Sequence, residues 1–169
     1  MLLDKTVAVV VPAYNEAKQI DRVLRTMPHF VDRIIVVNDC STDDTAGVVL
    51  SYIKEDRAIG KVITPAHAKT EENQYDRAER LLKEKQQDDM RHYVPSEIAN
   101  TYPDTDRVIL INHLKNGGVG AAIARGYKWC LDHKIDCTAV MAGDGQMDPS
   151  ELEKICKPVL SEDIDYVKG

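Results

Sequence analysis

Several common signals are missing from this chain of 169 residues, and each absence removes a class of function. Cys40, Cys130, Cys137 and Cys156 form no C-x-x-C pair, so neither a zinc site nor a disulfide framework is indicated; reduced, structural thiols of a cytosolic setting are expected. No apolar run approaches the ~20 residues that span a bilayer, and residues 1–5 lead into a short β-like run rather than a secretion signal. The chain therefore reads as soluble, which says nothing about its substrate. There is no basic excess: the formal charge of −6 argues against general nucleic-acid binding. No internal repeat is visible. Gly117, Gly118 and Gly120 are not followed by Gly-Lys-Ser/Thr, so they are not a Walker A loop. No G-x-G-x-x-G follows the first strand, where Pro12-Ala13-Tyr14-Asn15-Glu16 stands instead. That argues against a dehydrogenase, and equally against a nucleotidyltransferase, which wants a glycine-rich basic loop there. His29, His67, His92, His113 and His133 show no ligand spacing; His113 ends a strand, and a structural role is favoured for it over a polar contact at the site. No Ser/His/Asp arrangement can be argued.

What is present is an ordinary globular composition, 43% hydrophobic and 30% charged, enough for one domain with a real core. Residues 6–11 are β-branched and alanine without alternation, the pattern of a strand buried on both faces. A turn follows, with Asn15 as the expected N-cap of a helix carrying Ile20, Val23, Leu24 and Met27 inward. Residues 31–37 read as a second strand, and residues 38–45 as a polar loop with capping residues. The next helix runs from about Thr45 through Ile53, with Val48, Val49, Tyr52 and Ile53 on one face. Residues 108–112 form a third strand, and a helix from about Val119 to His133 has Ile123, Tyr127 and Leu131 on one stripe. Residues 137–142 form a fourth strand. Pro149 opens a helix to Leu160 with Leu152, Ile155, Cys156 and Val159 inward, and residues 165–169 begin a fifth strand. This β-α-β-α rhythm predicts an α/β, doubly wound, mostly parallel sheet with helices on both faces.

Residues from about 60 to 107 break the rhythm and are long for a connection in a compact α/β unit. Residues 71–91 are dense in charge. The segment reads as an inserted, mostly solvated helix with flexible flanks; an exposed excursion is favoured over a lid or docking element.

Three polar clusters fall at the carboxyl ends of predicted strands: Tyr14-Asn15-Glu16, Asn38-Asp39 and Asp144-Gly145-Gln146. In a parallel sheet these ends share one edge, so the clusters converge although each alone reads as a cap or turn. Carboxylates such as Glu16 and Asp39 can accept hydrogen bonds from ribose hydroxyls and base edges. A diphosphate repels a protein carboxylate unless a divalent cation reverses the sign, and Mg²⁺ or Mn²⁺ is often held by one or two protein oxygens plus phosphate. Asp144 and the Gln146 carbonyl suit that role. Gly117, Gly118 and Gly120 allow close backbone approach to a ligand and can expose N–H groups at a helix N-terminus.

Residues 10–17, 35–45, 116–126 and 143–149 together resemble the four successive motifs of family 2 glycosyltransferases of the GT-A fold. Within that family they are similar to the branch of dolichyl-phosphate mannose synthases and bacterial polyprenyl-phosphate glucosyltransferases. The resemblance implies inverting transfer of a sugar from a UDP- or GDP-linked donor, assisted by Mg²⁺ or Mn²⁺, with a polyprenyl or dolichyl phosphate as acceptor. It implies that Glu16 and Asp39 contact the nucleoside, that Pro12, Ala13 and Tyr14 flank the base, that Gly117, Gly118 and Asp144 complete the nucleotide site, and that Asp144 and Gln146 hold the metal.

Two positions depart from the pattern. The fourth motif of the family is Asp-x-Asp-x-Gln, and Ala142 replaces its first acid; Cys40 stands where the second motif has glycine. The resemblance also implies an acceptor-binding half beyond residue 169, so that residues 1–169 represent the nucleotide-sugar-binding part and the catalytic residues lie further on. Two readings follow: a glycosyltransferase acting at the cytoplasmic face of a membrane, or a module that binds the nucleotide without turnover.

Overall fold

The computed structural model describes residues 1–58, 89–162 and 164–169. Five strands form one sheet: β1 (Val7–Ala13), β2 (Arg33–Asn38), β3 (Ser96–Ile98), β4 (Val108–His113) and β5 (Cys137–Val140), in the order β3-β4-β2-β1-β5. β1 pairs in parallel with both β2 and β5, β2 pairs in parallel with β4, and β3 runs antiparallel to β4 at one edge. The helices are α1 (Ile20–Thr26), α2 (Thr45–Ala58), α3 (Val119–Asp132) and α4 (Leu152–Ser161).

Continuous apolar strands demand cover on both faces, and the core is accordingly split in two by the sheet. Val7, Val9 and Val11 point to the layer holding α1, α2 and α4, with Leu24, Val49, Leu152 and Cys156. Ala8 and Val10 point to the opposite layer, where Ala122, Trp129 and Cys130 of α3 pack on Ile35, Val37, Ile109 and Ile111. This is the α/β arrangement of GT-A type expected from the sequence. All four cysteines are free thiols, and only Cys40 is exposed.

Some expectations need correction. Asn15 does not cap α1, whose N-cap is Gln19 without a side-chain hydrogen bond; Asn15 sits at φ 58° and turns its side chain to the loop after β2. The stripe of Ile123, Tyr127 and Leu131 is present as expected, half-buried at Ile123 and exposed at Tyr127 and Leu131, the last 74% exposed. The sheet takes the small-residue face of α3 instead, because Gly126 lets the helix approach Val10 to within a distance no Cβ would tolerate. Residues 165–169 make no ladder with any described strand, and Tyr166 is 75% exposed; extended backbone without a paired neighbour is not a strand.

Of the segment at 60–107, residues 59–88, including nearly all of the predicted helix at 71–91, lie outside the described residues. Residues 89–107 are no flexible flank. They comprise a 3-10 turn (Met90–His92) and strand β3, anchored to the sheet by Asn100, which accepts from Leu110 N at 2.7 Å and donates to Val108 O at 2.8 Å. Asp106 is gripped by Arg57 from α2 at 2.8 Å. With two of its three residues exposed, β3 has no apolar alternation by which to announce itself.

Candidate functional site

β4, β2, β1 and β5 are adjacent and parallel, so their carboxyl ends emit four loops along one edge. Pro12 and Ala13 end β1, in register with Val37 and Asn38 of β2. Tyr14 follows and is 50% exposed, open to a planar ligand. Asp39 leaves β2 and donates its N–H to Ala13 O at 2.9 Å. Gly143 leaves the end of β5 and donates to Pro12 O at 3.2 Å. A side chain at Gly143 would press on that carbonyl, its Cβ only 3.1 Å away.

The first two loops are stitched together by side chains. Asn15 Oδ1 accepts from Thr42 N at 2.8 Å, and Asn15 N donates to Ser41 Oγ at 3.0 Å. Glu16 N donates to Thr45 Oγ1 at 2.9 Å, and Ala17 N to Asp43 Oδ2 at 3.0 Å. These bonds use the short polar residues of the second motif, which read in sequence merely as caps. Asn38 and Asn112 pair across the strand ends at 3.0 Å.

Asp39 is 3% exposed, yet its carboxylate is well supplied with donors. Oδ1 accepts from His113 Nδ1 at 2.6 Å and from Gly117 N at 2.8 Å; Oδ2 accepts from Gly118 N at 2.7 Å. Asn116 Nδ2 donates to the Asp39 carbonyl at 3.1 Å. Burying a carboxylate is costly unless hydrogen bonds and favourable charge replace water. Here the amides belong to the N-terminus of α3, whose dipole favours an anion. Gly117 and Gly118 therefore turn their amides inward to Asp39; Gly118 is open on its other side, where a Cβ would meet nothing within 4 Å, whereas a Cβ at Gly117 would stand 2.5 Å from Val94 Cγ2. Of the roughly four acceptor positions on an ionised carboxylate, one is left for a ligand.

Glu16 and Asp144 are brought close enough to repel one another. Burial, then the charge of Asp144, then that of Asp43, raise the Glu16 carboxyl above its ordinary range. Asp144 Oδ1 accepts from Gln146 N at 3.0 Å, which folds the 144–146 turn and leaves Gly145 at φ 72°. Among the described residues no group of three His, Cys, Asp or Glu side chains could hold a metal alone. The donor set fits Mg²⁺ or Mn²⁺ in the manner of ions that take one or two protein oxygens and complete their shell on phosphate. A cation there would also relieve the Glu16–Asp144 repulsion. On the far side of Gly145 and Gln146, a cavity of about 670 Å³ opens between α1 and the 145–150 loop, reaching Arg22, Phe30 and Glu153.

The residues singled out in the sequence at four strand ends thus lie along one edge, with Asp39 joined to Gly117 and Gly118 and with Glu16 within reach of the charge of Asp144. His113, for which the sequence favours a structural role over a polar contact at the site, does make that contact, with Asp39, and Asn116 is not singled out by the sequence as a site component. A strand-end position allows a histidine a polar contact but does not name its partner; the placement of His113 beside the glycine turn shows that the partner is Asp39.

Residues 8–67 match the sequence pattern described as "Glycosyl transferase family 2". The chain is 27% identical over 169 residues to a UDP-N-acetylglucosamine--dolichyl-phosphate N-acetylglucosaminyltransferase of Methanococcus voltae, covering 99% of this chain and 53% of that protein. It is 28% identical over 162 residues to the uncharacterized protein MJ1222 of Methanocaldococcus jannaschii, covering 95% of this chain and 44% of that protein. The chain spans about half the length of the curated relatives it matches. The resemblance to family 2 glycosyltransferases is thereby borne out, by the family pattern over residues 8–67 and by the similarity of almost the whole chain to a dolichyl-phosphate glycosyltransferase.

Proposed function

We propose that the protein binds a nucleotide sugar, UDP-linked in the first instance, and serves transfer of its sugar to a polyprenyl or dolichyl phosphate with inversion at the anomeric carbon. The observation that carries this is the convergence of Glu16, Asp39 and Asp144 with the Gly117–Gly118 turn at one sheet edge. The name of the Methanococcus voltae relative favours UDP over GDP and a lipid phosphate over a sugar hydroxyl.

The chemistry suits such an acceptor. A phosphate monoester oxygen is already anionic and can attack the anomeric carbon as the bond to the nucleoside diphosphate breaks, with no strong base to remove a proton. Tyr14 and Ala13 supply a surface for the base. Glu16, with its raised proton affinity, accepts from a ribose hydroxyl; Asp39 offers its remaining acceptor to the nucleoside. Asp144 and Gln146 would hold the divalent cation, which when bound would supply Lewis-acid stabilisation of the departing diphosphate. The acceptor half and any membrane association, at the cytoplasmic face, belong to this proposal; among the described residues no helix is long and apolar enough to cross a membrane.

The test is incorporation of labelled sugar into a lipid fraction when the protein is given UDP-sugars, Mn²⁺ and dolichyl phosphate. Lipid-linked product is expected; for the 169-residue chain alone, nucleotide binding without transfer favours the binding-module reading. A folded sample that binds no nucleotide refutes both.

A further inference from the structure

His113 is the last residue of β4, and its side chain is completely buried. Nδ1 lies 2.6 Å from Asp39 Oδ1, while Nε2 has no hydrogen-bond partner among the described residues. An ionised carboxylate can only accept, so Nδ1 carries the proton and donates. A buried polar nitrogen without a partner is a cost that a purely structural position would avoid by using Leu, Ile or Phe. The cost is accepted where the other nitrogen does something that an apolar side chain could not.

What Nδ1 does is fix a carboxylate. Asp39 left with only the Gly117 and Gly118 amides could rotate about its Cβ–Cγ bond, exchanging its oxygens. The imidazole, rigid and locked by burial against the α3 layer, removes that freedom. It thereby sets which oxygen faces Gly117, which faces Gly118, and where the last acceptor position of the carboxylate stands. Gly118, at φ 81°, is held in a conformation that places the first turn of α3 beside the loop ends of β1 and β2.

We propose that His113 is a positioning residue of the nucleotide site, acting through Asp39 to fix both the carboxylate and the 116–118 turn. The inference rests on the functional reading above, but its geometric half can be tested apart from it.

The experiment titrates UDP with Mn²⁺ into the 169-residue chain and into the variants His113→Phe, His113→Asn and His113→Gln, and records the backbone amide resonances of Gly117 and Gly118 in each. Asn places its Nδ2 close to where Nδ1 stood; Phe keeps the volume without a donor; Gln carries its amide one methylene too far. Loss of a hydrogen bond to a charged group is expected to weaken UDP binding about tenfold in H113F, with H113N within about threefold of the wild type. The Gly117 and Gly118 resonances should shift and lose exchange protection in H113F and recover in H113N. A folded H113F that binds UDP as tightly as the wild type, or an H113N as weak as H113F, overturns the proposal. Should H113F not fold, H113N and H113Q decide: equal affinities overturn it, and weaker binding by H113Q supports it. A wild-type chain that binds no nucleotide sinks the functional reading, and unchanged glycine amides in the variants then sink the positioning role as well.

Discussion

Cys40 is exposed and sits at φ 60°, in the left-handed region where a side chain is strained and glycine is not. The family pattern has glycine there, and the backbone explains why. Cys40→Gly should raise stability by up to about 1 kcal/mol, the relief of left-handed strain less the added freedom of the unfolded chain; the midpoint of urea unfolding measures it. Asn15, at φ 58°, tolerates the same conformation better, and its side chain joins two loops. Asp136 marks the other end of the sheet. It accepts from Thr6 N at 2.8 Å and Thr6 Oγ1 at 2.7 Å, and these bonds, the backbone one foremost, hold its carboxyl below the ordinary range. The unfolded value is about 3.9, so the stability this group contributes is fully present above that pH and is lost as pH falls through the lower folded value. Asp136→Asn should therefore lower the thermal midpoint at neutral pH, and the gap from wild type should close as pH falls below the ordinary carboxylate range and through the lower folded value.

At the scale of elements, α3 is, among the described helices, the one that covers this face of the sheet, and Gly126 is what lets it do so. A Cβ there would stand 2.3 Å from Val10 Cγ1 and 2.8 Å from Cγ2. Gly126→Ala must push α3 off β1, at an expected cost of about 1–3 kcal/mol in urea unfolding. A mutant as stable as wild type would show that the helix has room to shift. The same glycine explains which face of α3 meets the sheet. Ile123, Tyr127 and Leu131 keep helical period, but a period says that residues share a face and not which face meets the core. Strands were easier. Val7–Ala13 and Arg33–Asn38 are apolar on both sides, and only burial in a parallel sheet satisfies such a run. Strand β3 was invisible because Ser96 and Glu97 are polar and its pairing with β4 is decided by the sheet rather than by its own residues.

For the whole molecule, the parallel order β4-β2-β1-β5 turns four separated stretches into one edge. That convergence could be read from the sequence, because strand ends in such sheets share a side whatever their separation along the chain. The bonds inside the site could not. Nothing in the order of residues tells that Asp39 spends three of its acceptor positions on His113, Gly117 and Gly118, since these contacts span more than seventy residues. Nor could repulsion between Glu16 and Asp144 be foreseen before their loops were placed side by side. Carboxylates at Glu16, Asp39 and Asp144 sit along this edge of an acidic protein, so the proposed diphosphate would need a divalent cation between it and them. The most direct test of this account is calorimetric titration of UDP into the wild-type chain and into Asp144→Ala, each with and without Mn²⁺. The account predicts that Mn²⁺ strengthens binding to wild type at least about tenfold and leaves the folded variant nearly unaffected. Mn²⁺-dependent affinity that is the same in both proteins would contradict it.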